Sequence, residues 1–230
     1  MSAANSVLSN DTSITLDWAD VSGANRYHLQ VAVVPDFSGT LTVDDNTLVV
    51  STKTFTDGGA NDTKRWWRWR YSTDAGTTWS TWSEVGSYWL NTGASADVTL
   101  SSGSWAIFDP DAVSDLFTLD DYPVYSVLPE IIYRAKTRNR LGELLSEYVT
   151  TKDMISLDFS DTVFVVHRQM REFRRFNTEV KTFFLATYKT NGVDNVPNIW
   201  KVQFTEDPDW AMLDAGREDH FIGTLNFEEV

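Results

Sequence analysis

The sequence contains no cysteine. That absence removes disulfides, thiolate metal sites and cysteine nucleophiles together, and it fits folding in a reducing compartment. Nucleotide and hydrolase signatures are missing as well: there is no GxxxxGK[ST], no GxGxxG after a strand, no GxSxG elbow and no HExxH. Histidine is scarce. His28, His167 and His220 stand far apart along the chain, and nothing local ties any of them to a nucleophile. No run approaches the about 18 apolar residues of a membrane-spanning helix. The opening MSAANSVLSNDTS lacks the basic and apolar regions of a signal peptide. Neither a membrane partner nor independent export is expected.

Positive charge is also in short supply. Nineteen Lys and Arg face 33 Asp and Glu, for a net charge of −14 over 230 residues. Phosphates are repelled by such a chain unless a local basic patch dominates, so nucleic acid is not an expected partner. With 42% apolar residues, the chain does not read as disordered, and its length suits two modest domains, each with a core.

The acids cluster but match no metal or catalytic pattern. Asp109, Asp111 and Asp115, and Glu206, Asp207 and Asp209, could supply hard oxygen ligands. They lack the spaced loop, central Gly and closing Glu of a calcium hand, and turn chemistry accounts for Asp-Pro-Asp. A glycosidase pair needs two acids flanking a cleft, and no aromatic-plus-acid pattern singles one out. No cofactor, metal or catalytic residue is assigned.

What the chain has instead is tryptophan, most of it in RWWRWRYSTDAGTTWSTWSEVGSYWL at 65–90. This stretch sits in a region, 12–91, that reads as short strands between turn residues. TSITLDW alternates with Ile14, Leu16 and Trp18 on one face. RYHLQVAV places Tyr27, Leu29 and Val31 together. PDFSG, DGGAND and DAG break the pattern. Such spacing predicts a β-sandwich. Side chains alternate along a strand, so Trp67, Trp69 and Tyr71 share one face and Trp66, Arg68 and Arg70 the other. A sandwich buries one face of each sheet. The first set is expected to fill a core against Trp18 and Tyr27, and the arginines to point outward.

ITLDWADVSGANRYHLQVA followed by WRWRYSTDAGTTWSTWS resembles a fibronectin type III domain. Trp18 matches the family's early core tryptophan, Tyr27-x-Leu-x-Val its third strand and Trp67-Arg-Trp-Arg-Tyr71 its sixth. Trp79-Ser-Thr-Trp82-Ser is similar to the WSxWS motif of cytokine-receptor domains. That likeness implies an outward ladder in which Trp79 and Trp82 stack with Arg68 and Arg70, each guanidinium on an indole contributing about 0.5–2 kcal/mol. The cysteines, signal peptide and membrane span usual in those receptors are not found. The cysteine-free pattern looks instead like the fibronectin-type domains of tail, neck and baseplate proteins of tailed bacteriophages.

Beyond 93 the grammar changes. Residues 94–121 are Asp-rich and read as an acidic linker that docks on a neighbour through Trp105, Ile107 and Phe108, following an N-terminal arm at 1–11 and a sandwich at 12–93. Residues 122–230 read as a β-rich, or α+β, assembly domain. EIIYRAKTRNRLGELLSEYVTT forms a hairpin turning at Leu141 and Gly142, ISLDFS another strand, and TFFLATYKT and IWKVQFTE flank a turn at Asn191 and Gly192. DWAMLDA is expected to be a short helix opened by Asp207-Pro208, and HFIGTLNFEEV aligns Phe221, Gly223, Leu225 and Phe227. SDTVFVVHRQMREFRRFN fits a strand running into a helix or an irregular arm. If helical, it puts Arg168, Arg171 and Arg175 on one face, which suits phosphate or RNA binding or, preferred in so acidic a chain, an acidic patch on another subunit.

Taken with the phage resemblance, these features predict a mainly β, non-enzymatic virion structural protein, assembled in the host cytoplasm as a ring-forming homo-oligomer among other virion proteins. Two alternatives stay open. One is a carbohydrate-binding module that uses Trp66, Trp79 and Trp82 as a platform, with a host-surface glycan as its partner. The other is an enzyme whose site lies in 122–230, with acids such as Asp158, Glu206 or Asp209.

Overall fold

The computed structural model describes residues 4–94, 96–101, 104–109, 112–118, 124–138, 144–159, 167–180, 182–188, 197–206, 211–212 and 221–230. The chain is mainly β and has a two-sheet architecture. It divides into two compact units, the first Met1–Leu119 with Phe184–Trp200, the second Asp120–Phe183 with Lys201–Val230.

The first unit starts with seven strands: β1 (Ala4–Ser9), β2 (Ser13–Asp17), β3 (Arg26–Ala32), β4 (Val43–Leu48), β5 (Thr52–Thr56), β6 (Thr63–Ser72) and β7 (Gly86–Leu90). Three more follow, β8 (Val98–Ser101), β9 (Ser104–Asp109) and β10 (Ala112–Thr118). One sheet runs β4-β3-β6-β7-β1-β8, and β2 pairs with β5 alone. Within this six-stranded sheet the neighbours are antiparallel except β1 and β7, which are parallel. The pair β2-β5 closes over β3, β6 and β7 around a core of Ile14, Leu16, Trp18, Tyr27, Leu29, Val31, Trp67, Trp69, Tyr88 and Leu90. Trp18 sits at its centre, stacked on Trp69 at 6.0 Å and edge-on to Tyr27 at 6.0 Å. Trp18, Trp67 and Trp69 are at most 1% exposed, and their indole N–H groups have no hydrogen-bond partner among the described residues. The core accepts those unpaired donors because each ring buries a large apolar area.

Two sequence expectations are corrected here. The arm at 1–11 contains β1, which lies between β7 and β8 in the sheet. The segment 94–121, expected to be a linker, carries β8, β9 and β10. Asp-rich composition favours turns only until a strand finds a ladder. β9 finds one in β13 (Phe183–Tyr188), with Phe184 opposite Phe108 and Leu185 opposite Ile107. Ala106, Phe108, Phe184, Ala186, Tyr188 and Ile199 then form a second core with Val7, Leu8, Val98 and Leu100.

The second unit pairs β11 (Val124–Arg138) with β12 (Leu144–Phe159) antiparallel, so Ile155–Phe159, expected as a further strand, continues β12 rather than forming a separate element. Helix α1 (His167–Arg175) follows and runs into a π-helical turn, Phe176–Val180. The strand β14 (Pro197–Phe204) begins in the first unit and ends in the second, where it pairs with the closing strand. β15 (Ala211–Met212) pairs with β16 (Phe221–Glu229), so the stretch expected as a helix extends at these two residues. A ladder bond to Phe221 and Ile222 outweighs the local Asp-Pro signal. Phe159, Phe173, Phe176, Phe183, Phe204 and Phe227 meet ring to ring at 4.7–6.1 Å. The expected turns at 141–142 and 191–192, and Asp111, Asp207, Asp209 and His220, lie outside the described residues.

A buried ionic cluster anchors the loop between β5 and β6. Arg65 (3% exposed) lies 3.1 Å from Asp57 (0% exposed), Tyr88 donates to Asp57 at 2.8 Å, and the Gly59 amide donates to it at 2.9 Å. A methyl on Gly59 would overlap the Arg65 guanidinium. Burial, together with the Asp57 charge, pushes the Tyr88 hydroxyl far above its usual range. Removing one partner leaves the other charge buried and uncompensated. Asp57→Ala is therefore expected to cost about 3–5 kcal/mol, and Tyr88→Phe about 1.5–3 kcal/mol, in urea unfolding followed by tryptophan fluorescence.

Candidate functional site

The outward face of β6 is where the sequence concentrates chemistry. Register sets its neighbours: Arg70 lies opposite His28, Arg68 opposite Gln30 and Trp66 opposite Ala32 on β3. Arg68 donates through Nε and Nη2 to Gln30 Oε1 at 3.0 and 2.8 Å. Arg70 directs Nε and Nη2 at His28 Nδ1, 3.2 and 3.1 Å away. On the far side of the ring, His28 Nε2 is 2.6 Å from Asp44 Oδ1, which also accepts from Gln30 at 3.1 Å. The hydrogen bond from His28 is the largest cause holding the Asp44 carboxyl below its usual range. Burial and then the Arg70 charge lower Arg68 from its ordinary value.

The tryptophans complete a stack. The Trp82 ring has the Arg68 guanidinium carbon 4.4 Å from its centroid and that of Arg70 4.3 Å away. Arg70 also lies 5.1 Å from Trp79, and Arg68 4.1 Å from Phe37. Phe37 reaches that position from a left-handed backbone, φ 57°, a strained conformation for a bulky residue. His28 packs against Trp82 and Trp79 at 4.9 and 5.5 Å. Each guanidinium thus faces aromatic rings and gives its N–H edge to an acceptor on β3.

The serines of the same motif do a different job. β7 pairs with β6 only from Thr63 to Trp67, which leaves the edge open at Trp69 and Tyr71. Ser80 donates its amide to Tyr71 O at 2.9 Å and accepts from Tyr71 N on its hydroxyl at 3.1 Å. Ser83 repeats this with Trp69 at 2.8 and 3.0 Å. Both hydroxyls pass their own hydrogen to the next backbone carbonyl, Thr81 or Glu84, at 2.8 Å. A shallow groove of about 190 Å³ lies along this segment, lined by Trp69, Arg70, Tyr71, Ser80, Thr81, Trp82 and Ser83. Each serine hydroxyl there already donates to one backbone group and accepts from another.

The remainder of the outward face is covered from within the same unit. Lys64 lies 5.6 Å from the Trp66 ring and 5.5 Å from Trp200. Trp89 meets Phe184 edge-on at 5.1 Å, and Ser87 bonds Ile199 N at 3.0 Å. Trp66, Trp79 and Trp82 consequently each have a cation near the ring, and they do not form one open platform.

Of the residues expected in the sandwich core, Trp18, Tyr27, Trp67 and Trp69 are buried and Tyr71 packs beside them half-buried. The expected interface residues fare differently. Trp105, Ile107 and Phe108 are 0–1% exposed within the chain's own fold, so they are not a docking surface; the ladder with β13 takes them inside. Arg168 and Arg171 are exposed on α1, whereas Arg175 is half-buried, bonded to Glu172 at 2.9 Å and 4.7 Å from the Phe176 ring. Arg174 is exposed in its place. Sequence reasoning did not assign His28, Gln30, Asp44 or Phe37 to the ladder. The alternation of His28 and Gln30 on β3 was legible, but the register that brings them to the arginines, with Asp44 on β4 and Phe37 in the loop between β3 and β4, was not. Among the described residues no cluster of His, Asp and Glu could hold a metal ion. No family model, curated protein or solved structure matches the chain.

Two outcomes are expected from this geometry. Trp82→Ala takes the ring from both guanidiniums and is expected to cost about 1–4 kcal/mol in chemical denaturation, with the exposed neighbour Thr81→Ala as a control near zero. Asp74, at the turn after β6, accepts from Thr78 N, Thr78 Oγ1 and Ser72 Oγ at 2.8, 2.6 and 2.7 Å, which lowers its carboxyl to about 2. A carboxyl depressed on folding stabilises above the unfolded value, about 3.9, and loses that contribution as pH falls through the folded value. Asp74→Asn should flatten the acid side of the stability profile between about pH 4 and 2, read by thermal melts.

Proposed function

We propose that this chain is a non-enzymatic structural protein of a tailed-bacteriophage virion, in the tail, neck or baseplate, in which residues 12–93 form a fibronectin type III domain. The observation that carries the reading is the self-occupied Trp/Arg stack. Arg68 and Arg70 lie close to Trp82, and Arg70 lies near Trp79, so the most conspicuous aromatic surface serves folding before any ligand. The strand division supports the domain assignment. β2 and β5 face β4-β3-β6-β7, which is similar to the split of immunoglobulin-like sandwiches. The parallel pairing of β1 with β7 is a variation on it.

Self-association into a ring is the second part of the proposal. Its support is charge: Arg168, Arg171 and Arg174 lie exposed on one helix of a chain with net charge −14, so each copy presents a basic stripe to an otherwise acidic neighbour. Such contacts weaken with salt, since the screening length falls from roughly 10 Å at 0.1 M to 3 Å at 1 M. Negative-stain images of the purified protein are expected to show closed rings at low salt and smaller species at about 1 M salt. Isolated monomers under both conditions would remove the assembly reading. Specific glycan-array binding lost in Trp79→Ala would replace it with a carbohydrate-binding module.

A further inference from the structure

The hydrogen-bond partners of His28 fix which of its ring nitrogens carries the hydrogen. Its side chain is 9% exposed. Arg70 places two N–H donors on Nδ1, at 3.2 and 3.1 Å, and a guanidinium has no acceptor to offer. Nδ1 must therefore be a lone pair, and the ring hydrogen sits on Nε2, donated to Asp44 at 2.6 Å. An N–H on both ring nitrogens would set donor against donor at Arg70.

We propose that His28 is an acid-sensitive latch for segment 79–83. Histidine is the side chain whose charge ordinarily changes between pH 5 and 8. When the ring takes up a proton, Nδ1 loses the lone pair that holds Arg70, and the two like charges separate. The groups facing the ring are Asp44 from β4, Arg70 from β6 and the Trp79 and Trp82 indoles. Arg68 is one outward position further along β6, tied to Gln30. Arg26, on the same strand as His28, turns away to the Thr47 carbonyl at 2.8 Å. Asp44 is the one facing group that favours the added charge, and its side chain is 55% exposed, which weakens its pull.

The consequence reaches the strand edge. Arg70 cannot swing out without leaving Trp82 at 4.3 Å and Trp79 at 5.1 Å. With Arg70 gone, segment 79–83 keeps the serine bonds to Trp69 and Tyr71, and Arg68 at 4.4 Å from Trp82, as its hold on β6. When those open, β6 presents unpaired N–H and C=O groups, the template to which another strand can add. The acid state is a sandwich with its core intact and one edge uncovered.

Hydrogen exchange resolved at single amides tests this between pH 7.5 and 5, with intrinsic exchange rates divided out. Opening at the Trp69 and Tyr71 amides is expected to rise by up to about tenfold per pH unit, the limit for one linked proton, while the Leu29 amide in the core stays protected. His28→Gln should remove the rise. Asp44→Asn, at an exposed position, should displace it to lower pH, and this variant decides the matter if His28→Gln does not fold. Unchanged protection at Trp69 and Tyr71 down to pH 5 would overturn the proposal. So would the same rise in His28→Gln, a rise in Asp44→Asn that does not move, or Leu29 exchanging in parallel.

Discussion

Strand β6 serves three surfaces at once, and the first unit depends on how its ten residues divide that work. Alternation sends Trp67 and Trp69 into the core at 0–1% exposure and leaves Arg68 and Arg70 on the other side. The inward rings supply the apolar area, at the cost of indole N–H groups without partners. The outward guanidiniums are strongly polar groups on a half-buried surface. They become compatible with it because Trp79, Trp82 and Phe37 cover their planes while Gln30 and His28 accept from their edges. The free edge is closed by Ser80 and Ser83, which imitate a pairing strand at every second residue.

A chain without cysteine must obtain its cross-links from other chemistry. Here one is the stack just described, which ties β3, β4, β6 and the 79–83 segment through a single run of contacts. The other is Asp57 with Arg65 and Tyr88, sealed between the loop after β5 and strands β6 and β7. A buried ion pair adds little net stability compared with well-packed apolar residues, but it penalises any arrangement that separates its members.

Both devices turn polar side chains toward the chain itself, and the functional reading follows from this. The tryptophan-rich surface is engaged by the protein's own cations, so the search for partner contacts moves to α1, whose exposed arginines stand out in an acidic chain. The apolar residues Trp105, Ile107 and Phe108 do not offer a second contact surface, because all three are buried in the ladder with β13 and Phe108 belongs to the core beneath it.

Local rules were legible in the sequence. The two faces of β6, the core role of Trp18 and Tyr27, the hairpin strands of the second unit and the helix at His167–Arg175 all follow from periodicity, which depends only on backbone geometry within a few residues. The errors lie where a distant partner overrode a local signal. Asp-rich 94–121 carries three strands, Ala211 and Met212 paired as a strand despite a helix-opening motif, and Trp105, Ile107 and Phe108 were claimed by Thr187, Leu185 and Phe184, far away along the chain. The ladder's outer partners, His28, Gln30 and Asp44, were hidden for the same reason. By itself the sequence determined which side chains share a face, because alternation is a property of one strand. Only the tertiary structure decided what each face meets, because strand register is a choice between segments far apart in the chain, made by the cores and ion pairs that close around it.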